Sequence, residues 1–212
     1  FISIDFADTE NPVIEAIDFD LSESGYSLCI VDTKGSHAEL TPEYASIPAE
    51  MKAVANQLGC EYLRQLSKGD VIANIASLRE KLGDRSVLRA LHFFDENERV
   101  IRLSDALGTG DFSEFLKVIN ESGDSSYKYL QNVYPSSQPR EQSVSLALYF
   151  CRELMKGDGA SRVHGGGFAG TIQAFVKNTY LESFKAGMEK LFGAGSCYVL
   201  SVRRTGGTEV VL

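Results

Sequence analysis

Alternating apolar and polar residues open the chain. Residues 2–6 (Ile-Ser-Ile-Asp-Phe) and 13–19 read as strands on either side of the turn region Asp8-Thr9-Glu10-Asn11-Pro12. A third strand, residues 26–32, follows the breaker Ser22-Glu23-Ser24-Gly25, and its nearly unbroken apolar run predicts cover on both faces. The period then changes to that of helices. Thr41 as N-cap and Pro42 at the first helical position predict a start, Met51, Val54, Ala55 and Leu58 form one apolar stripe, and Gly59 predicts a stop. Further helices are expected at 71–82, 86–107 and 111–120, the last with Phe112, Phe115, Leu116 and Ile119 on one side. A polar loop bracketed by Pro135 and Pro139 precedes a helix at 142–155.

The last third changes character. Residues 161–164 and 171–176 predict strands, 181–192 an amphipathic helix, and 197–202 and 209–212 two more strands joined at the Gly206-Gly207 turn. The order β, several α, then β, β, α, β predicts an α+β fold, an antiparallel sheet with helices on one face. Because the chain opens directly in a strand with Phe1, it is expected to be part of a longer protein.

Composition narrows the function classes. A chain of 212 residues can build one sizeable core, or one domain and part of another. With 21 Lys+Arg against 29 Asp+Glu the net charge is -8, which argues against nucleic acid or an anionic membrane as partner. Small anions stay open, since backbone N–H groups can hold a phosphate without a basic surface. Cys29, Cys60, Cys151 and Cys197 are widely spaced, which points to small buried apolar residues rather than a zinc cluster or disulfide scaffold. With neither a signal-like segment nor an apolar run of membrane-spanning length, a cytoplasmic location is the expectation.

The run Gly165-Gly166-Gly167-Phe168-Ala169-Gly170, between two apolar strands, is the strongest local signal. A two-residue turn would join those strands, so four glycines carry a backbone entropy cost that a plain hairpin does not require. The excess fits a backbone that approaches a ligand closely or presents N–H groups to an anion; a structural bulge is the alternative. No Lys-Ser or Lys-Thr follows and a strand comes next, so neither a Walker A loop nor a Rossmann fingerprint fits.

In context, the stretch from Arg162 through Val163 and His164 to Thr171 resembles the third signature motif of the GHMP small-molecule kinases, as found in galactokinases. The segment Asp32-Thr33-Lys34-Gly35-Ser36-His37, leading to Thr41-Pro42-Glu43-Tyr44, resembles the galactokinase stretch where a strand and short turn precede a sugar-contacting tyrosine. Residues 2–6 and 92–100 (His-Phe-Phe-Asp-Glu-Asn-Glu-Arg-Val) also resemble galactokinase segments, in the same order along the chain. The resemblance implies the C-terminal portion of such an enzyme: residues 1–24 as end strands of an N-terminal lobe, and residues 25–212 as a ferredoxin-like C-terminal domain with additional helices. It implies ATP and Mg²⁺ as cofactors, held mainly by the N-terminal part, and galactose phosphorylated at its anomeric hydroxyl. Tyr44 would contact the sugar, and Gly165, Gly166, Gly167, Phe168, Ala169 and Gly170 would line the phosphate and substrate side. No catalytic base and no metal ligand is expected in this stretch, so the chain alone is expected to be inactive. A non-catalytic galactose and ATP sensor of the same family is the alternative.

The sequence departs from the family at Val163-His164, where a Met-Thr pair is common, and at Ala169, where glycine is usual. His164 and His92 read as structural imidazoles, His37 as solvated, and Asp95, Glu96 and Glu98 as a solvated acidic face. Arg203-Arg204 reads as surface, and nothing local makes Asp5, Asp18 or Asp32 a base.

Overall fold

A computed structural model describes residues 1–36 and 38–202. His37, Arg203-Arg204, the Gly206-Gly207 turn and the strand expected at 209–212 lie outside the described residues. Strands β1 (Ile2–Asp5) and β2 (Val13–Ala16) pair antiparallel as a separate two-stranded sheet, with Ile2 opposite Ala16 and Asp5 opposite Val13. Strand β3 (Tyr26–Asp32) leads into the helices α1 (Thr41–Gln57), α2 (Lys68–Ala73), α3 (Ile75–Leu82), α4 (Asp84–Thr109), α5 (Phe112–Ser125) and α6 (Ser143–Met155). Strands β4 (Gly159–Val163) and β5 (Thr171–Lys177), helix α7 (Leu181–Phe192) and strand β6 (Cys197–Leu200) complete the described chain.

The main sheet runs β4–β5–β3–β6 with every neighbour antiparallel. Strand, helices, two strands, helix and strand make the ferredoxin-like α+β unit, with the extra helices inserted after β3. Registry sets Val31 beside Ile172 and Cys29 beside Ala174, all fully buried on one face. There they meet Val144, Ala147 and Cys151 of α6 and Phe184 and Met188 of α7. Three of the four cysteines, all free thiols, are buried, and Cys60 is half-buried, in line with the small-apolar reading.

Helices do not keep to one face, contrary to expectation. On the opposite side Leu28, Ala160 and Phe175 pack with Ala106 and Leu107 of α4 and Phe115 and Ile119 of α5. This second cover is incomplete, so Tyr26, Leu28 and Ile30 of β3 remain only half-buried rather than enclosed on both faces. Among the described residues no helix is long and apolar enough to cross a membrane.

Local chemistry explains where element boundaries moved. Leu40, not Thr41, is the N-cap of α1, so Pro42 falls in its first turn, where an amide hydrogen is not needed. The helix expected at 71–82 is two helices, because the Asn74 side chain donates to the Asp70 carbonyl at 2.9 Å and competes with the helical ladder. Helix α5 continues past residue 120 because Ser122, Gly123 and Ser125 are small enough to lie against β4. A Cβ at Gly123 would stand 2.8 Å from the Ser161 carbonyl. The Asn120 side chain accepts from Ser161 N–H and donates to the Gly159 carbonyl, sealing the outer edge of β4 as a neighbouring strand would. One turn of π-helix, Ser126–Leu130, follows and ends at Gln131 with φ 59°.

Candidate functional site: the glycine loop and Tyr44

The connection from β4 to β5 is the glycine run, and the fold brings Tyr44 directly onto it. The Tyr44 hydroxyl donates to the Gly167 carbonyl at 2.8 Å, and a Cβ at Gly166 would stand 2.8 Å from the Tyr44 ring. Two candidates 121 positions apart (165 − 44) in the sequence thus form one structure. Burial raises the Tyr44 phenol above its ordinary pKa, so it remains a proton donor near neutrality.

Each glycine answers to a different constraint. Gly167 has φ +87°, and a Cβ there would lie 2.0 Å from the Asn132 carbonyl oxygen, so no side chain fits. Gly165 has φ +71° but open space around its missing side chain. Phe168 also takes a positive φ, 59°, while Ala169 N–H donates to the Gly167 carbonyl at 2.7 Å, the strained form of a γ-turn. Burial holds that strain. Phe168 is buried with Leu40, Ala169 and Ile47, and its ring meets that of Tyr44 edge-on at 5.2 Å. Ala169 has no positive φ, so alanine in place of the family's glycine costs nothing in backbone conformation. Phe168 and Ala169 point inward and anchor the loop, whereas Gly165 and Gly166 are exposed.

Three residues for which the sequence suggested no role of their own complete the support. Buried Asn132 accepts the Phe168 N–H on its carbonyl and donates from its side chain to the Gly166 carbonyl at 3.2 Å. Its Oδ1 has no partner among the described residues. Thr33, at the end of β3, gives both its N–H (2.8 Å) and its hydroxyl (2.7 Å) to the Gly170 carbonyl. The Ser143 hydroxyl lies 3.0 Å from that of Thr33 at the start of α6. The carbonyls of Gly166, Gly167 and Gly170 are therefore engaged. The N–H groups of Gly165, Gly166 and Gly167 make no hydrogen bond to the described residues. Those of Gly165 and Gly166 are exposed while Gly167 is buried, and exposed amides with no internal acceptor suit an anion such as a phosphate oxygen.

Behind β4 lies a polar cluster that corrects the reading of residues 95–98 as a solvated face. Glu96 is largely buried, accepting from the Ser122 hydroxyl, from Arg99 Nε at 2.7 Å and from Arg162 Nη1 at 3.1 Å. Burial pushes its pKa up, but the Ser122 hydrogen bond and the Arg162 and Arg99 cations outweigh this and hold it below the ordinary carboxylate value. Asp95 pairs with Lys68, and Glu98 alone of the three is exposed. His92 is a satisfied core histidine: its Nδ1 sits 2.8 Å from the Ser125 hydroxyl, and burial lowers its pKa. His164 is exposed beside the loop, with Nδ1 3.2 Å from Gln173 Oε1. Asp32 accepts from Lys34, both the amide and the ammonium. Among the described residues no three His, Cys, Asp or Glu side chains are placed to share a metal ion.

Comparison with known proteins places this geometry. No family model matches the chain. It is 30% identical over 191 residues to a galactokinase of Streptomyces coelicolor, covering 89% of this chain and 46% of that protein. It is 27% identical over 161 residues to a galactokinase of Glaesserella parasuis, covering 76% of this chain and 40% of that protein. The chain thus spans somewhat under half the length of these curated relatives. Among solved structures, galactokinase from Lactococcus lactis complexed with galactose superposes with a TM-score of 0.70 at 21% identity, over 95% of this chain and 50% of that one. Mevalonate kinase from L. major, in complex with R-mevalonate, superposes with a TM-score of 0.51 at 13% identity. The fold is that of the GHMP small-molecule kinases, in their ferredoxin-like α+β unit with additional helices. Within that class the sequence is galactokinase-like over most of its length.

Proposed function

We propose that the chain is the C-terminal half of a cytoplasmic galactokinase that transfers the ATP γ-phosphoryl group to the anomeric hydroxyl of galactose, giving galactose 1-phosphate and ADP. The supporting observation is the convergence of Tyr44 on a loop whose three consecutive amides, at Gly165, Gly166 and Gly167, have no acceptor among the described residues. Galactokinase relatives over most of the chain supply the reaction class.

Phosphoryl transfer depends on positioning and on stabilising charge, with little covalent work for the protein. Mg²⁺, when bound with the nucleotide, supplies neutralisation of phosphate charge, and the N-terminal half would hold both. This chain's own part is to present fixed N–H groups. The loop carbonyls of Gly166, Gly167 and Gly170 are tied down by Asn132, Tyr44 and Thr33, which limits how far the loop must reorganise when an anion arrives. The exposed face of Tyr44, beside Gly166, would line the sugar. Residues 1–24 would continue the sheet of the N-terminal lobe, which fits the exposure of Ile2, Ile4, Val13 and Ile14 on the first hairpin.

The 212-residue chain, given ATP, Mg²⁺ and galactose, is expected to show no turnover, and multiple turnovers would defeat the half-site reading. In the parent protein Gly166→Val, which collides with the Tyr44 ring, is expected to lower kcat/KM for galactose by about tenfold or more. A parent that binds galactose and ATP without turnover would be a sensor instead.

A further inference from the structure

Beside Asn132, the support of the glycine loop, lies a cavity of about 430 Å³, lined in part by Glu43, Arg85, Lys128, Gln131 and Tyr134. That volume is in the range of small-molecule sites. We propose that it binds a monophosphorylated sugar, at a place separate from the glycine loop. The argument does not depend on the kinase reading.

The cavity's two cations keep donors to spare. Arg85 spends Nε and Nη2 on Glu50, and no described residue takes Nη1. Lys128 is half-exposed and, among the described residues, its ammonium holds only Asp124, one helical turn back, at 2.8 Å. Such exposed pairs are weak and exchange readily for a phosphate, which the Arg85 and Lys128 donors could share. Facing them is a carboxylate with one oxygen fixed and one open. Glu43 Oε1 accepts from the Ser136 hydroxyl and from both the amide and the hydroxyl of Ser137, while Oε2 has no hydrogen-bond donor among the described residues. Burial pushes the Glu43 carboxyl up, but those hydrogen bonds and the Arg85 charge outweigh it, so it is an ionised acceptor at neutral pH. An anion alone would avoid a carboxylate; an anion that also carries hydroxyls would use it. The Tyr127 and Tyr134 rings, 6.3 Å apart and edge to face, supply an apolar wall for the C–H face of a sugar ring. Neither phenol donates to a described residue, so both can meet ligand hydroxyls.

Position gives the cavity a consequence. Gln131 and Val133 line it and flank Asn132, which grips Gly166 and Phe168. An occupant would therefore press on the support of the glycine loop without touching the loop.

The test is backbone amide NMR on the 212-residue chain, titrated separately with galactose 1-phosphate, galactose and inorganic phosphate. Galactose 1-phosphate is expected to bind with Kd below about 1 mM and to shift the amides of Gln131 and Tyr134. Lys128→Gln and Tyr134→Phe, both at accessible side chains, are each expected to weaken it about fivefold. No saturation, equal affinity for inorganic phosphate, or indifference to both substitutions would overturn the proposal. So would shifts centred on 165–167, which would instead support the glycine loop as the phosphate site.

Discussion

Two hairpins in this chain close with connections of equal span, residues 6–12 between β1 and β2 and residues 164–170 between β4 and β5, and they treat the backbone in opposite ways. In the first, side chains satisfy the turn: Asp5 accepts from the Ala7 amide, and Asp8 accepts from the amides of Glu10 and Asn11. In the second the side chains of residues 165–167 are gone, carbonyls are tied to the surrounding fold, and three amides are left without an acceptor among the described residues. The first hairpin contains no glycine, so closing seven residues does not require any. What the glycines add is a backbone surface that another molecule can reach. The strain this entails, at Phe168, persists because that side chain is buried; the first hairpin carries no comparable strain and no comparable anchor.

The largest effect is expected where the loop meets its support. Gly167→Ala combines a left-handed backbone costing about 1–2 kcal/mol with overpacking against the Asn132 carbonyl costing about 1–3 kcal/mol. Chemical denaturation should report a loss of about 2–5 kcal/mol. Gly165→Ala, equally left-handed but in open space, should lose only about 1–2 kcal/mol. Equal losses at the two positions would mean that Asn132 is not the constraint.

Next in size is the anchor of β4. Glu96→Gln leaves Arg162 and Arg99 with a neutral acceptor in a largely buried setting. Breaking a buried pair costs about 3–5 kcal/mol, and partial exposure reduces this to roughly 2–3 kcal/mol. Because the Glu96 pKa is held below its unfolded value of about 4.3, its contribution is present above that pH and is lost as pH falls through the folded value. Stability measured from pH 6 down to 3 should fall less steeply in Glu96→Gln than in the parent chain. The first hairpin has its own tie, Arg64 to Asp5 at 2.7 Å, but both side chains are half-exposed. Arg64→Ala should cost no more than about 0.5–1 kcal/mol.

How much of this was legible beforehand follows from the same contrast. The strands and most helices follow from period, and the glycine run announced itself because four glycines in six residues exceed what a turn requires. Tyr44 was reached through resemblance, but its hydrogen bond to Gly167 was not, since chain separation hides such contacts. Asn132 and Ser143 gave no signal, and Thr33 stood inside a segment marked by resemblance without a role of its own: each is an ordinary polar residue whose role exists only once β3, the π-turn and α6 meet. Glu96 reads as solvated in the sequence because it is one of three acidic residues in four, and only the placement of Arg162 behind β4 shows otherwise. Helix α5 ran on through Ser122 and Gly123 because small residues, which read as a loop, were selected for close approach to β4.

Tyr44→Phe removes the hydroxyl that donates to Gly167 while keeping the ring that covers Gly166 and meets Phe168. The loss should be about 0.5–1.5 kcal/mol, with faster hydrogen exchange at Phe168 and Ala169. If stability is unchanged and exchange does not quicken, burial of Phe168 alone holds the strained turn.

The smallest effect tests the other hairpin. Asp8 is exposed, and its carboxyl lies below the ordinary value because Asn11, through its side chain, and the amides of Glu10 and Asn11 donate to it. Asp8→Ala should therefore leave the thermal midpoint of the chain unchanged, since no buried contact depends on the turn. The Glu10 and Asn11 amides should instead lose their acceptor and exchange with solvent faster, becoming as open as those of Gly165 and Gly166 are here. Such a variant would have open amides but no surrounding fold to hold the carbonyls in place. If it nonetheless gained affinity for inorganic phosphate, unpaired amides alone would suffice for anion binding, and the ties from Asn132, Tyr44 and Thr33 would be dispensable. The expected outcome is no gain, because amides that move with solvent must be ordered by the anion itself, whereas those of the glycine loop are already held in position.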